Sequence, residues 1–196
     1  MHSLLQKLFL AGVSLSICLL VAAISNNWRW VPRQPQGYGG ALGELRNRLL
    51  TGTADGYGVQ PVGDTWGVLM ETGHPEGTAT LVALGDGTTS LYLSTGGGVI
   101  GGGEHEKVNL AARVFVERAS ERAVGMDEVD GFPVPVTGRV TFYVLTTSGV
   151  RAAEAEVEEL QAGTHPLAPL FRAGHDVLGL LHVPADGSTL NLGFGD

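Results

Sequence analysis

The stretch Ser90–Ala119, SLYLSTGGGVIGGGEHEKVNLAARVFVERA, constrains this chain most. It passes from an alternating apolar segment through two glycine triplets into a segment with helical spacing. A strand must end, the chain must turn sharply, and a helix must start, all within a few residues. Helical spacing puts Val108, Ala111, Ala112, Phe115 and Ala119 on one face. The alanines on that face admit close approach to a sheet. Glu104 and Glu106 complement the positive end of the helix dipole.

Upstream, residues 41–50 place Leu42, Leu45 and Leu49 on one helical face, with Glu44, Arg46 and Arg48 read as off it, and Gly52 ends the helix. A Gly-rich connection covers residues 53–63. Residues 65–72 alternate, with Trp66, Val68 and Met70 on one side and Gly67, Leu69 and Glu71 on the other, which predicts a strand. A turn at 73–77 leads to a second strand over 78–84. Gly85-Asp86-Gly87 is a hairpin signal, and the third strand spans 89–94. These three form an antiparallel meander.

Downstream, residues 125–138 read as an acidic, proline-containing loop. Strands are predicted over 139–146 and 150–156, joined at Ser148-Gly149. Glu154, Glu156, Glu158 and Glu159 read as a solvated edge that discourages sheet-to-sheet pairing. A last helix is predicted from Pro166 to Leu181, with Leu167, Leu170, Phe171, Leu178 and Leu181 inward. The order α-β-β-β-α-β-β-α predicts an α+β domain. Its expected architecture has two layers: a five-stranded, mainly antiparallel sheet with helices on one face.

Charge divides the chain. Every Asp and Glu lies at or after Glu44, and the first 43 residues carry only Lys7, Arg29 and Arg33. The remainder has nine basic and twenty acidic residues and stands at −11. Such a body is a poor partner for nucleic acid, which needs clustered Lys and Arg. Residues 8–24 hold no charge, and Trp28 and Trp30 follow them. Seventeen such residues sit at the short end of what spans a hydrocarbon core of about 30 Å, and the tryptophans suit its interface. The expected organisation is a hydrophobic anchor or signal segment over 1–30, a linker over 31–40, one α+β domain over 41–184 and a tail over 185–196. The expected location is a membrane, with a single pass. A signal cleaved near Ala23-Ile24-Ser25, or a natively soluble domain behind a misassigned start, are the alternatives.

Chemistry is sparsely signalled. Gly96 to Gly101 formally matches G-x-G-x-x-G after a strand and before a helix. The preceding strand belongs to a hairpin, and Glu104 and Glu106 put negative charge where a pyrophosphate would sit. The amides of Gly96, Gly97, Gly98, Gly101, Gly102 and Gly103 remain the candidate ligand-binding positions, as a nest for a small anion or peptide terminus. Otherwise these glycines seat the helix tightly on the sheet. His74, His105, His165 and His175 have no metal-binding spacing, and Cys18 is the one cysteine, which excludes a disulfide framework and multi-cysteine zinc sites. Glu71, Glu76 and Glu104 read either as a cluster near the glycine junction or as solvated acids. No catalytic residue, cofactor or metal is predicted.

Three segments carry a resemblance: GVLMETGHPEGTATLVALGDGTTSLYLSTGGGVIGGGEHE, GRVTFYVLTTSGV and GTHPLAPLFRAGHDVL. From Trp66 to about Leu181 the chain resembles a family of small bacterial proteins of one α+β domain, which implies no activity. The element order is similar to that of secretion-chaperone-like folds and, more distantly, of roadblock, longin and profilin-like folds, which are mainly partner-binding. The expectation is a non-enzymatic protein-binding or assembly domain tethered to a membrane. Its partner is an unidentified protein or a second copy of the chain. The competing expectation is a small-ligand sensor or enzyme using residues 96–103.

Overall fold

The computed structural model describes residues 40–181. The predicted anchor at 8–24, most of the linker, Cys18 and the tail at 185–196 lie outside the described residues. No helix among the described residues is long and apolar enough to cross a membrane.

In chain order the elements are α1 (Gly40–Thr51), α2 (Ala54–Tyr57), β1 (Thr65–His74), β2 (Gly77–Leu84), β3 (Thr89–Leu93) and β4 (Gly98–Val99). A single 3-10 turn (Gly102–Glu104) leads into α3 (Glu106–Ala123). Then follow β5 (Asp127–Val129), β6 (Arg139–Thr146), β7 (Gly149–Glu156), α4 (Val157–Ala162) and α5 (Ala168–Leu180). One sheet holds all the strands in the order β4-β3-β2-β1-β6-β7-β5, every pair antiparallel.

The α+β class is as expected, but the five-stranded, two-layer architecture is not. The sheet has seven strands. The two additions are edge strands: β4 inside the glycine junction and β5 inside the acidic loop. Segments of two and three residues are too short to show alternation, and Asp127 and Glu128 disguise β5 further. Helices also cover both faces rather than one. On one face Val68, Met70, Leu81, Phe142 and Val144 pack against Val108, Phe115 and Val116 of α3, Leu160 of α4, and Leu170 and Val177 of α5. On the other, Leu69, Val82, Tyr143 and Leu145 pack with Leu49 and Leu50 of α1 and Ala54 of α2. β1 is central and buried almost throughout because it feeds both cores.

Trp66 departs from the predicted alternation. The β1–β6 register shifts between Thr65 and Gly67, and this bulge turns Trp66 into the second core with Leu69, while Val68 and Met70 stay in the first. Its indole Nε1 donates to the Thr146 carbonyl at 3.3 Å. The last helix begins at Ala168 rather than Pro166, with Pro169 in its first turn, where a missing N–H costs nothing. Glu158 and Glu159, expected to continue a solvated edge, belong instead to the separate short helix α4, which buries Leu160.

The second face is fixed by charge as well as by apolar packing. Arg46 is 5% exposed and Glu71 0%. Arg46 donates from Nε to Glu71 Oε1 at 2.6 Å and from Nη2 to Oε2 at 2.8 Å. Thr80 donates to the same Oε1 at 2.8 Å. Arg46 Nη2 also reaches the Phe132 carbonyl at 2.9 Å, and the guanidinium lies 5.7 Å from the Tyr143 ring centroid. Arg46 is therefore not off the buried face, and Glu71 is not a solvated acid.

Removing one member of this pair strands a buried charge. Arg46→Met or Glu71→Gln in the full chain is expected to lower unfolding free energy by about 3–5 kcal/mol. Arg46→Met combined with Glu71→Leu should recover most of that loss, measured by denaturant unfolding at neutral pH.

Candidate functional site

The glycine junction is built against the β2–β3 turn. Gly96 N donates to Leu93 O at 2.9 Å and Leu93 N to Gly97 O at 3.1 Å, closing the turn between β3 and β4. Gly96 (φ +105°) and Gly97 (φ +84°) occupy the left-handed half of backbone space, and a Cβ there would meet nothing within 4 Å. Gly98 is different: it pairs with Tyr92, and a Cβ would fall 2.1 Å from the Leu91 carbonyl oxygen. Gly101 has φ +77° and leads the 3-10 turn. A Cβ on Gly102 would sit 2.5 Å from the Leu181 side chain, and one on Gly103 2.2 Å from the Gly87 carbonyl oxygen.

A clamp missed by sequence reading holds this contact. Asn109 Nδ2 donates to Asp86 O at 3.1 Å and to Gly103 O at 3.2 Å. Arg113 donates from Nη2 to Asp86 O and from Nε to Asn109 Oδ1, each at 2.9 Å. The second triplet thus slides under the hairpin turn, and α3 is tied to it from its first turns. Of the candidate amides, that of Gly96 is spent on Leu93 O, and the amides just beyond the second triplet, Glu104 N and His105 N, donate back to Gly101 O and Gly102 O.

The predicted acids do not gather at the junction. Glu71 is buried under α1, whereas Glu76 and Glu104 are exposed. His74 and His175 line one open cleft of about 670 Å³ with Thr72, Val136, Arg139 and Glu158. Burial pushes the His175 imidazole below its ordinary range, with Asp176 opposing, and the ring lies 4.2 Å from that of Phe171. His165 Nδ1 accepts from Leu167 N at 3.2 Å, a local turn contact. No group of three or more His, Cys, Asp or Glu among the described residues is placed to hold a metal ion. In the same cleft Arg139 pairs with Glu154 and, at 3.1 Å, with Glu156.

The second cleft, about 560 Å³, opens on the α1 face. Its floor is apolar: Leu50, Trp66, Val129, Phe132, Leu145 and Val150. Its rim is polar, with Thr51, Thr53, Thr147, Asp55 and Asp130, and no basic side chain lies among its lining residues. Local sequence explains each wall. Gly52 ends α1 where a Cβ would strike the Tyr57 ring at 2.6 Å and the Arg48 carbonyl at 2.7 Å. The absent side chain lets Tyr57 fold back and stack on Trp66, ring centroids 5.5 Å apart. Thr53 caps α2, accepting from Gly56 N at 3.2 Å. The opposite wall is the β5–β6 connection. It is held by Arg46 on the Phe132 carbonyl and by Tyr143 OH, which donates to Pro133 O at 2.5 Å. Phe132 stands edge-on to Tyr143 at 5.8 Å. This cleft was not legible in the sequence, because its walls come from segments far apart in the chain.

Burial pushes the Tyr143 phenol up to about 12, with Glu71 adding to the rise and Arg46 opposing it. No protein-family model, no curated protein and no solved structure matches this chain.

Two measurements follow from this geometry. Gly98→Ala or Gly103→Ala places a methyl on a backbone oxygen, so each should lower the thermal midpoint well beyond Gly97→Ala, whose cost is only the backbone strain of roughly 1–2 kcal/mol. Tyr143, protonated in the fold and raised above its unfolded value near 10, contributes stability that is full below pH 10. That contribution is lost as pH climbs through about 12. Denaturant midpoints should fall across that window, and Tyr143→Phe should flatten the fall.

Proposed function

We propose that the described domain is a non-enzymatic protein-binding or assembly module, carried on a membrane by the apolar segment at residues 8–24. One observation carries the binding part: the cleft between the α1–α2 turn and the β5–β6 connection. Concave sites of a few hundred cubic ångströms with an apolar floor and a few polar groups are the usual seats of ligands. Phe132, half-buried, offers aromatic surface at low entropic cost over the buried Trp66, and the threonines and backbone groups of the rim offer hydrogen bonds. Asp55 and Asp130 are the charged side chains of the lining, on a body of net −11. The cleft therefore suits a segment of a partner protein that presents a bulky apolar side chain beside Lys or Arg. The membrane part is supported by the uncharged run at 8–24, the tryptophans that follow it and the absence of acidic residues from the first 43 positions, whose charges are Lys7, Arg29 and Arg33.

Selection of displayed random peptides on the immobilised full chain tests the reading. Enriched peptides should pair an aromatic or large aliphatic residue with Lys or Arg. Their affinity should fall about tenfold or more when Asp55→Lys and Asp130→Lys are combined, and likewise with Phe132→Ala. Peptides that bind equally to all variants, or no enrichment at all, would reject the cleft as a protein-binding site.

A further inference from the structure

Helix α3 carries an apolar pair on its outer face. Leu110 is 65% exposed and Val114 42%. They do not stand alone. Lys107, Leu110, Val114, Glu117 and Glu121 follow one another at alternating spacings of three and four, all on the side opposite the buried row of Val108, Ala112, Phe115 and Ala119. That spacing is the seam of a two-helix coiled contact. The seam has a charge pattern: basic at one end, apolar in the middle, acidic at the other.

We infer that α3 is a self-association surface on which a second copy of this chain docks its own α3 in antiparallel orientation. In that register Leu110 of each copy faces Val114 of the other, and Lys107 of each faces Glu117 of the other. One two-fold axis generates both layers twice, as an isologous interface requires. A parallel pairing would oppose Lys107 to Lys107 and Glu117 to Glu117, so charge decides the direction. The flanks permit the approach. Arg113 is drawn off the seam by Asn109 and the Asp86 carbonyl, and Ala111 on the other side adds only a methyl. Arg118 is held along its own helix by Glu121 at 2.9 Å. Two exposed apolar side chains flanked by single charges make a small contact, weak in dilute solution and strengthened wherever copies of the chain are concentrated. It lies on the face of the sheet opposite the Trp66 cleft, and a failure of the cleft reading leaves it unaffected.

Disulfide trapping in the full chain tests both occupant and register. In a Cys18→Ser background, Leu110→Cys and Val114→Cys chains of distinguishable mass are mixed and oxidised. The mixed product should form severalfold faster than either self-product. Lys107→Glu should slow it about tenfold, since two layers pass from attraction to repulsion, and adding Glu117→Lys should restore it. Lys107, Leu110, Val114 and Glu117 are solvent-exposed, so folding of the described domain is not at stake. A dimer formed through any other surface would show no preference for the mixed product. That result, trapping insensitive to the charge reversals, or no trapping at all would overturn the inference.

Discussion

The Arg46–Glu71 ion pair is the contact on which the second face of this domain depends. Glu71 sits on the central strand, Arg46 on the helix above it, and neither is solvated. A buried carboxylate is tolerable only when its lone pairs are met, and here two guanidinium donors and the Thr80 hydroxyl meet them. Such a pair adds little net stability against a well-packed apolar substitute, but it is intolerant of any other arrangement. The same guanidinium reaches the Phe132 carbonyl, so one side chain fixes α1, the β5–β6 connection and the space between them. The cleft proposed as the binding site is a consequence of that placement.

Much of the sheet was legible because period-two alternation is a local signal. The strands that became β1, β2, β3, β6 and β7 follow it closely. What escaped detection depended on partners. β4 and β5 exist because a longer neighbour offers unpaired backbone groups, not because their residues favour extension. Trp66 changed faces through a single inserted position. Arg46 was readable in principle: it lies four residues after Leu42 and three before Leu49, within the apolar stripe, and a charge at such a position signals a buried partner. Glu71, on the same parity as Leu69, was its natural complement. Setting both aside as surface charges hid the second core and reduced three layers to two.

The glycine junction was visible as a feature, but its geometry is divided. Gly98, Gly102 and Gly103 stand where the chain approaches neighbouring atoms too closely for a side chain, whereas Gly96 and Gly97 serve a turn open to solvent. Asn109 and Arg113 complete the arrangement by binding the Asp86 carbonyl from the helix. Their role follows from the hairpin turn lying over the first turns of α3, a proximity that no spacing in the chain announces.

The short edge strands limit the ways this domain can meet others. β4 covers Leu91 and Tyr92 on one margin, and β5 covers Val150 to Ala152 on the other. Beyond β5, β7 continues with Glu154 and Glu156, both engaged by Arg139. Little contiguous backbone is left to template another strand, and what is left carries negative charge. Association is thereby steered away from main-chain pairing, which is indifferent to sequence, towards contacts made by side chains, which are not.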